Sequence, residues 1–322
     1  MKTLLVFDGN NIFHKNYHAV KTHGTIAESI DMAVSQSLLE FKFYYDKFKP
    51  TMTMLAFDSP SNWRKIYTKS EKAVTNKIYK AQRSEKKTKK EKEAKKLLDE
   101  AIQETALLFK EYSKLIVLWE DGLEADDMAS GVCRLFGDTE YDIKIVSSDK
   151  DYLQFYRYKN VEIINPLAHG KNRNLEEWNN DADLFLFEKF IRGDGKDNVR
   201  SAYPRLRKVK LLEAYYDDYV LNNVMNHNFI ENIYDECTDT YIEKEFNVGD
   251  IFEENKMLLD LNAQPKDIRE KIDSVVEREI TKKRKTNFVK FLQFAKKKEL
   301  NNILSRPTNF LPFLKNENRS KN

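Results

Sequence analysis

The sequence predicts an α/β fold, a parallel sheet covered by helices, followed by a smaller all-helical C-terminal domain. Four apolar runs, Leu4–Phe7, Met52–Phe57, Leu115–Trp119 and Ile143–Val146, are spaced widely enough for a helix between each pair. Near-continuous apolar runs suit a sheet buried on both faces, and parallel neighbours need helical crossovers. From about residue 184 the texture becomes helical. Each run also delivers acid at its C-terminal side: Asp8; Asp58; Glu124, Asp126 and Asp127; Asp149 and Asp151. In a parallel sheet these ends share one rim, where open α/β folds place ligands.

After the first strand, Asp8-Gly9-Asn10-Asn11 reads as a polar turn. Ile30, Val34, Leu38, Phe41, Tyr45 and Phe48 recur at helical steps, so a helix is expected over 27–48, closed by Pro50. The second strand takes 51–57. Residues 59–96 form a long polar excursion in which Trp63, Tyr67 and Tyr79 alternate with basic residues, a pattern that lets bases stack where phosphates are neutralised. A helix is expected over 97–113, a strand over 114–119, a helix from the acidic 120–127 stretch to about Phe136, a strand over 143–147 and a short strand over 160–165. Carboxylates in a first helical turn are favoured by the helix dipole, so capping accounts for some of the acids near 124–127. Next, Leu184–Ile191 runs into the glycine-punctuated turn Arg192–Val199, and Arg200, Arg205, Arg207, Lys208 and Lys210 follow. A helix, a tight turn and a second helix that begins with positive charge suit duplex phosphates. The domains are therefore set at 1–183, including the 59–96 segment, and 184–322.

With 322 residues, 41% hydrophobic and 33% charged, the composition is that of a globular chain with a sizeable core. No apolar run approaches the roughly 20 residues that span a bilayer, and no signal-peptide pattern precedes the first strand, so an intracellular protein with no membrane partner is expected. Cys133 and Cys237 lie far apart and suggest two reduced thiols rather than a disulfide or zinc site. The net charge of +3 conceals segregation: residues 80–96 carry nine Lys/Arg against three Glu, 278–298 nine against one, and 213–260 thirteen acids against two lysines. That pattern suits one face for a polyanion.

Nine carboxylates stand out: Asp8, Asp58, Glu124, Asp126, Asp127, Asp149, Asp151, Asp194 and Asp197. Acids gathered on one rim push one another's pKa upward unless cations neutralise them. An all-oxygen set favours Mg²⁺ or Mn²⁺ over zinc. Two such ions about 4 Å apart suit in-line attack on a phosphodiester. His14, His18, His23, His169 and His227 are read as surface or packing residues. A P-loop, a dinucleotide G-x-G-x-x-G and the Asp-x-Asp of aspartyl-phosphate enzymes are all missing.

Val6-Phe7-Asp8-Gly9, Phe57-Asp58 with Asn62-Trp63-Arg64-Lys65, Tyr79-Lys80-Ala81-Gln82-Arg83, Glu124-Ala125-Asp126-Asp127, Ser147-Ser148-Asp149-Lys150-Asp151 and Gly193–Val199 come in one order. That ordered set resembles the 5′-nuclease (flap endonuclease) superfamily. Within it the likeness is greatest to phage members, the 5′→3′ exonucleases and the ribonuclease H type of T-even phages. The resemblance implies a PIN-like parallel-sheet nuclease core, a helical arch within 59–96 and a helix-three-turn-helix element opening the second domain. It implies Mg²⁺-dependent hydrolysis at 5′ ends and flaps of DNA and RNA-primed DNA, in a monomer. By motif position, Asp8, Asp58, Glu124, Asp126 and Asp127 would serve a first metal, and Asp149, Asp151, Asp194 and Asp197 a second. Lys80 and Arg83 would meet the scissile phosphate, Tyr79 would stack on a base, and Arg64, Lys65, Lys196 and Arg200 would bind substrate. Partners implied are a 5′-flapped or nicked duplex, an RNA–DNA primer, and a single-strand-binding protein or sliding clamp; for a phage protein the place would be the host cytoplasm. The chain departs from the family after Asn198-Val199, where Ser201–Arg205 stands in place of the G-x-G-x-K hairpin of many members, so the resemblance does not carry over a potassium site or a mode of duplex contact at that turn. A PIN-like endoribonuclease and a catalytically silent nucleic-acid-binding scaffold are the alternatives.

Overall fold

Leu4, Leu5, Val6 and Phe7 have no exposed surface, because β1 (Lys2–Asp8) lies in the middle of the sheet. The protein is described by a computed structural model covering residues 2–75, 77–82, 88–168, 171–172, 174–235 and 239–317; Arg83, His169 and Cys237 lie outside these described residues. β2 (Met52–Ala56), β3 (Ile116–Leu118), β4 (Tyr141–Val146) and β5 (Val161–Asn165) join β1 in the order β3-β2-β1-β4-β5, all parallel. A two-residue β6 (Lys171–Asn172) pairs antiparallel to β5. The chain builds outward from β1 on one side, then returns to its other side with β4. The order therefore reverses between β1 and β4, where such sheets open a crevice at the strand C-termini.

The helices follow the expected rhythm, with two shifts. The expected turn after Asp8 is instead the start of a helix, Gly9–Val20, for which Asp8 is the N-cap. Strand passes straight into helix because Gly9 has no side chain: a Cβ there would lie 2.4 Å from the Phe57 ring and 2.9 Å from the Ala56 carbonyl. Helix Ile26–Phe48 agrees with the reading, set by the reciprocal Thr25/Glu28 capping box. The next helix, Lys89–Tyr112, begins eight residues before the expected start at 97. Its first two turns are charged nearly all round, so periodicity misses them, but a Thr88/Glu91 capping box fixes the start. Helix Ala125–Phe136 lies where the sequence placed it.

The chain divides into two compact units whose limits differ from the expected 1–183 and 184–322: residues 1–62, 87–174 and 266–322 form one, and 63–86 with 175–265 the other. In the first unit the C-terminal helices return to the sheet's own core. Phe291, Phe294, Phe310 and Phe313 join Phe41, Phe109 and Leu115 in one buried cluster, and Tyr45 donates to the Pro312 carbonyl at 3.0 Å. Helix Lys266–Thr281 approaches Ala125–Phe136 at Gly131, where a Cβ would meet Ile272 Cγ2 at 2.6 Å and Val276 Cγ2 at 3.0 Å.

The second unit is not all helical, which corrects the expectation. Helices Trp63–Thr68, Ala182–Arg192, Lys208–Tyr216, Asp218–Met225 and Val248–Leu259 accompany an antiparallel hairpin of β7 (Asn228–Asp235) and β8 (Thr240–Asn247). Alternation puts Phe229 and Phe246 on the hairpin's packed face, against a core that includes Phe187, Ile191 and Leu211. Glu231 and Lys244 share that face while Ile230 and Tyr241 stand exposed on the other, so charged and apolar residues occur on both sides and a hydropathy reading misses the strands. Gly193 ends Ala182–Arg192 at φ +68°, with the Arg200 carbonyl 2.4 Å from where a Cβ would stand.

Gly131→Val is expected to cost about 1–3 kcal/mol through overpacking of that helix pair. Gly195→Ala, whose added carbon meets nothing within 4 Å, should stay within about 0.5 kcal/mol. Urea unfolding of both variants checks the pair; equal midpoints would contradict the close approach at Gly131.

Candidate metal site at the β1–β4 switch

Asp8 ends β1 on the edge of the crevice and is 7% exposed. Its Oδ1 accepts from the Asn11 amide at 3.1 Å and its Oδ2 from the Ser147 hydroxyl, just after β4, at 2.8 Å. Two asparagines tie the neighbouring loops: Asn10 Oδ1 accepts from the Asp58 amide at 3.0 Å, and Asn11 Oδ1 from the Ser148 amide and hydroxyl at 2.9 and 2.8 Å. The expected turn residues are thus the clamps between β1, β2 and β4. The sequence showed the polar cluster, but not which strands it joins.

The other acids of this unit follow the rim. Asp58, half-buried, accepts from the Ala125 amide at 2.8 Å, the first amide of helix Ala125–Phe136. Glu124 is the N-cap of that helix and buried; Asp127 has no exposure, and its Oδ2 accepts the Glu124 amide at 2.9 Å. Capping therefore does occupy Asp127, as the sequence allowed. Asp126 is half-buried and Asp149 exposed; Asp149 caps a short 3₁₀ helix, Lys150–Arg157, by accepting from the Asp151 amide at 3.0 Å.

Burial, followed by the negative charge of Asp58 and then Asp149, pushes the Asp8 carboxyl up to about 7, against the hydrogen bonds that lower it. The Tyr152 hydroxyl is likewise held well above its usual range, by burial and by the charges of Asp8, Asp126, Asp149 and Asp58. Asp8, Asp58, Asp126 and Asp149 thus act on one locality. As the side chains stand, no three of the described His, Cys, Asp or Glu residues are close enough to share an ion; the carboxylate oxygens turn instead to backbone amides of the rim. The donor set itself fits a hard divalent cation: all oxygen, mutually repelling, and carried on strand ends and helix starts.

Asp194 and Asp197 belong to the second unit, in the turn closed by the Asp194–Val199 bridge. Asp197 is 7% exposed; Tyr79 donates to its Oδ2 at 2.8 Å and the Lys80 ammonium stands 3.8 Å away. Lys189 pairs with Asp194 at 3.4 Å. Three expected substrate contacts prove to be internal. Tyr79 is 3% exposed, so its ring has no free face for a base. Arg64 is 1% exposed, stacked on Trp63 at 4.6 Å, with its Nε donating to the Leu258 carbonyl. Arg200, 6% exposed, pairs with Glu231 and lies 4.1 Å over the Phe246 ring. Lys65 and Lys196 are exposed. A basic or aromatic residue at a motif position reads the same whether it faces solvent or a core, which is why the sequence misplaced these three.

The family profile described as 5′-3′ exonuclease, N-terminal resolvase-like domain, matches residues 3–186. The chain belongs to that family. It is 34% identical over 96 residues to ribonuclease H of Enterobacteria phage T4, covering 30% of each protein. It is 27% identical over 205 residues to a 5′-3′ exonuclease of Aquifex aeolicus, covering 62% of this chain and 64% of that protein. Both matches thus span less than two thirds of the relatives' length. The fold matches that of bacteriophage T5 flap endonuclease in a pseudo-enzyme–product complex with DNA and metal ions (TM-score 0.61, 17% identity, 87% of this chain and 100% of that one). It also matches T5 5′-exonuclease with bound zinc ions (TM-score 0.62, 19% identity, 86% and 99%). No helix among the described residues is long and apolar enough to cross a membrane.

The Asp8 shift has a direction that can be measured without any substrate. Its folded pKa, near 7, lies above the ordinary value of 3.8, so between those values the native state binds more protons than the unfolded one and stability falls as pH rises. In chelator, Asp8→Asn should match wild type near pH 4 and exceed it at pH 8 by a few kcal/mol, on the order of 4 at most. Mg²⁺ should shrink the difference at pH 8. A gap between the two proteins that does not change with pH would show that Asp8 carries no such strain.

Proposed function

We propose that this protein is a divalent-metal-dependent 5′ nuclease that hydrolyses phosphodiesters at 5′ ends and flaps of DNA. The observation that carries the reading is the meeting of Asp8, Asp58, Asp126 and Asp149 charge at the β1–β4 switch, in a chain whose family is that of the 5′-3′ exonucleases. Asp8, Asp58, Glu124, Asp126 and Asp127 would hold one ion, directly or through water, and Asp149 and Asp151 would serve a second. For Asp194 and Asp197 the support is their place in the family's motif order. Mg²⁺ is the expected ion, with Mn²⁺ as its substitute. When bound, such ions supply charge that activates water and steadies the leaving oxygen.

The chain's own residues do the remainder. Ser147 and the Asn11 amide hold the Asp8 oxygens in place, so that no rotamer search precedes binding. Asn10 and Asn11 fix the loops after β2 and β4 against the first helix. Exposed Lys65 and Lys196, with Lys80, are the cations offered to substrate phosphate. Arg83 keeps that role on the family likeness. RNA-primed DNA as substrate, primer removal in replication, a single-strand-binding protein or sliding clamp as partner, a monomeric state and the host cytoplasm as location extend the reading by the same likeness.

A 5′-flapped, end-labelled duplex incubated in Mg²⁺ should be cut by wild type, and Asp149→Asn should cut it on the order of a hundredfold more slowly. Equal cutting by the variant, or none by wild type in either Mg²⁺ or Mn²⁺, would remove the nuclease reading. Faster cutting of single-stranded RNA than of the flap would redirect it to an endoribonuclease.

A further inference from the structure

One buried polar group follows directly on the acidic turn after β4. Tyr152 follows Asp151 in the 3₁₀ helix Lys150–Arg157, is 1% exposed, and packs its ring edge-on to Phe155 at 5.7 Å. Its hydroxyl is buried and makes no hydrogen bond among the described residues. Leaving a buried hydroxyl unmatched costs roughly 1–3 kcal/mol, and phenylalanine would fill the same space without that cost. The charges that bear on this hydroxyl are those of Asp8, Asp126, Asp149 and Asp58. A buried O–H on the helix that Asp149 caps, next in sequence to Asp151, is a standing donor that has no acceptor at bonding distance among the described residues.

We propose that Tyr152 is a positioning residue of the metal site, its hydroxyl donating to an oxygen that enters with the divalent cation or with the substrate phosphate. The inference rests on the nuclease reading. A neutral donor suits this place better than lysine or arginine: it orients an incoming oxygen without bringing positive charge that competes with the cation for the carboxylates. The oxygen has two sources, the cation's hydration and the phosphate, and both offer the same acceptor chemistry.

Tyr152→Phe separates them. In chelator the variant should melt at the wild-type temperature or above it, since an unmatched hydroxyl has been removed. Melting is then followed against added Ca²⁺, a hard oxygen-seeking ion, and binding of a 5′-flapped duplex is measured in saturating Ca²⁺. If the oxygen comes with the cation, the Ca²⁺ midpoint should rise roughly three- to tenfold in the variant. If it comes with phosphate, the midpoint should be unchanged and duplex binding should weaken by a similar factor. Wild-type values for both would overturn the proposal, and so would a chelator melting temperature several degrees lower, which would reveal a partner within the metal-free fold. Should wild type itself neither respond to Ca²⁺ nor cut the flap in Mg²⁺, the nuclease reading fails and the role of Tyr152 with it.

Discussion

Like charges held close together at the end of a central strand constrain the rest of this structure. Asp8 is carried on β1, whose four preceding residues are wholly buried, so the carboxylate cannot retreat to solvent without withdrawing the strand. Its neighbours Asp58 and Asp149 come from β2 and β4, and the in-register parallel pairing of those strands with β1 sets how near they stand. Protonation or a cation can relieve that repulsion, and each answers to a different variable in solution. The sheet stores the tension, and chemistry at the rim can draw on it.

The second unit treats its acids differently. Asp197 has Lys80 and the Tyr79 hydroxyl beside it, and Asp194 has Lys189. These are ordinary compensations for half-buried or buried carboxylates, and one of them takes up Tyr79, a group that sequence position alone assigned to substrate. Arg64 and Arg200 tell the same story, since each guanidinium is spent on a core of rings and carbonyl or carboxylate oxygen. Guanidinium is suited to such burial because it is weakly hydrated and stacks on aromatic faces. What stays available to a polyanion beside those buried guanidiniums is surface charge such as Lys65, Lys196, Arg205 and Arg207, which positions phosphate without reading bases.

Much of the sheet was legible because burial on both faces writes itself as unbroken apolar runs: Leu4–Phe7 and Ile143–Val146 could hardly be anything else. The acids after those runs were legible for the same reason, as each marks where burial stops. Less could be read where side-chain pattern and backbone part company. Gly9–Val20 opens on three small or polar residues and looks like a turn until the Asp8 cap is seen. Lys89–Lys96 is helical with almost no apolar face, held by its cap and by the helix that follows. The β7–β8 hairpin mixes its faces, with Glu231 and Lys244 beside Phe229 and Phe246 and with Ile230 and Tyr241 turned outward, so its period-2 signal is weak. The return of Lys266–Leu314 to the first unit is a matter of long-range packing, Phe313 against Phe109 and Tyr45, that no local window contains.

Capping and metal holding were set against each other as readings of the acids, and the structure shows why they need not compete. Asp8, Glu124 and Asp149 each stand at the N-cap of the helix or 3₁₀ helix that follows its strand, and Asp58 takes the first amide of Ala125–Phe136. Several helix N-termini therefore face the rim, and their unpaired amides and dipoles favour negative charge there. A carboxylate has about four lone-pair sites, and one amide uses only one of them. The amide fixes the rotamer and offsets part of the repulsion; the remaining sites stay open to a cation. A strand that ends in a capping acid thus makes a pre-set ligand as a by-product of starting its helix. The rule holds at β1 and β4, and Asp58 after β2 extends it across the rim by capping the helix that follows β3, so three of the rim's acids are set by amides that helix starts leave open.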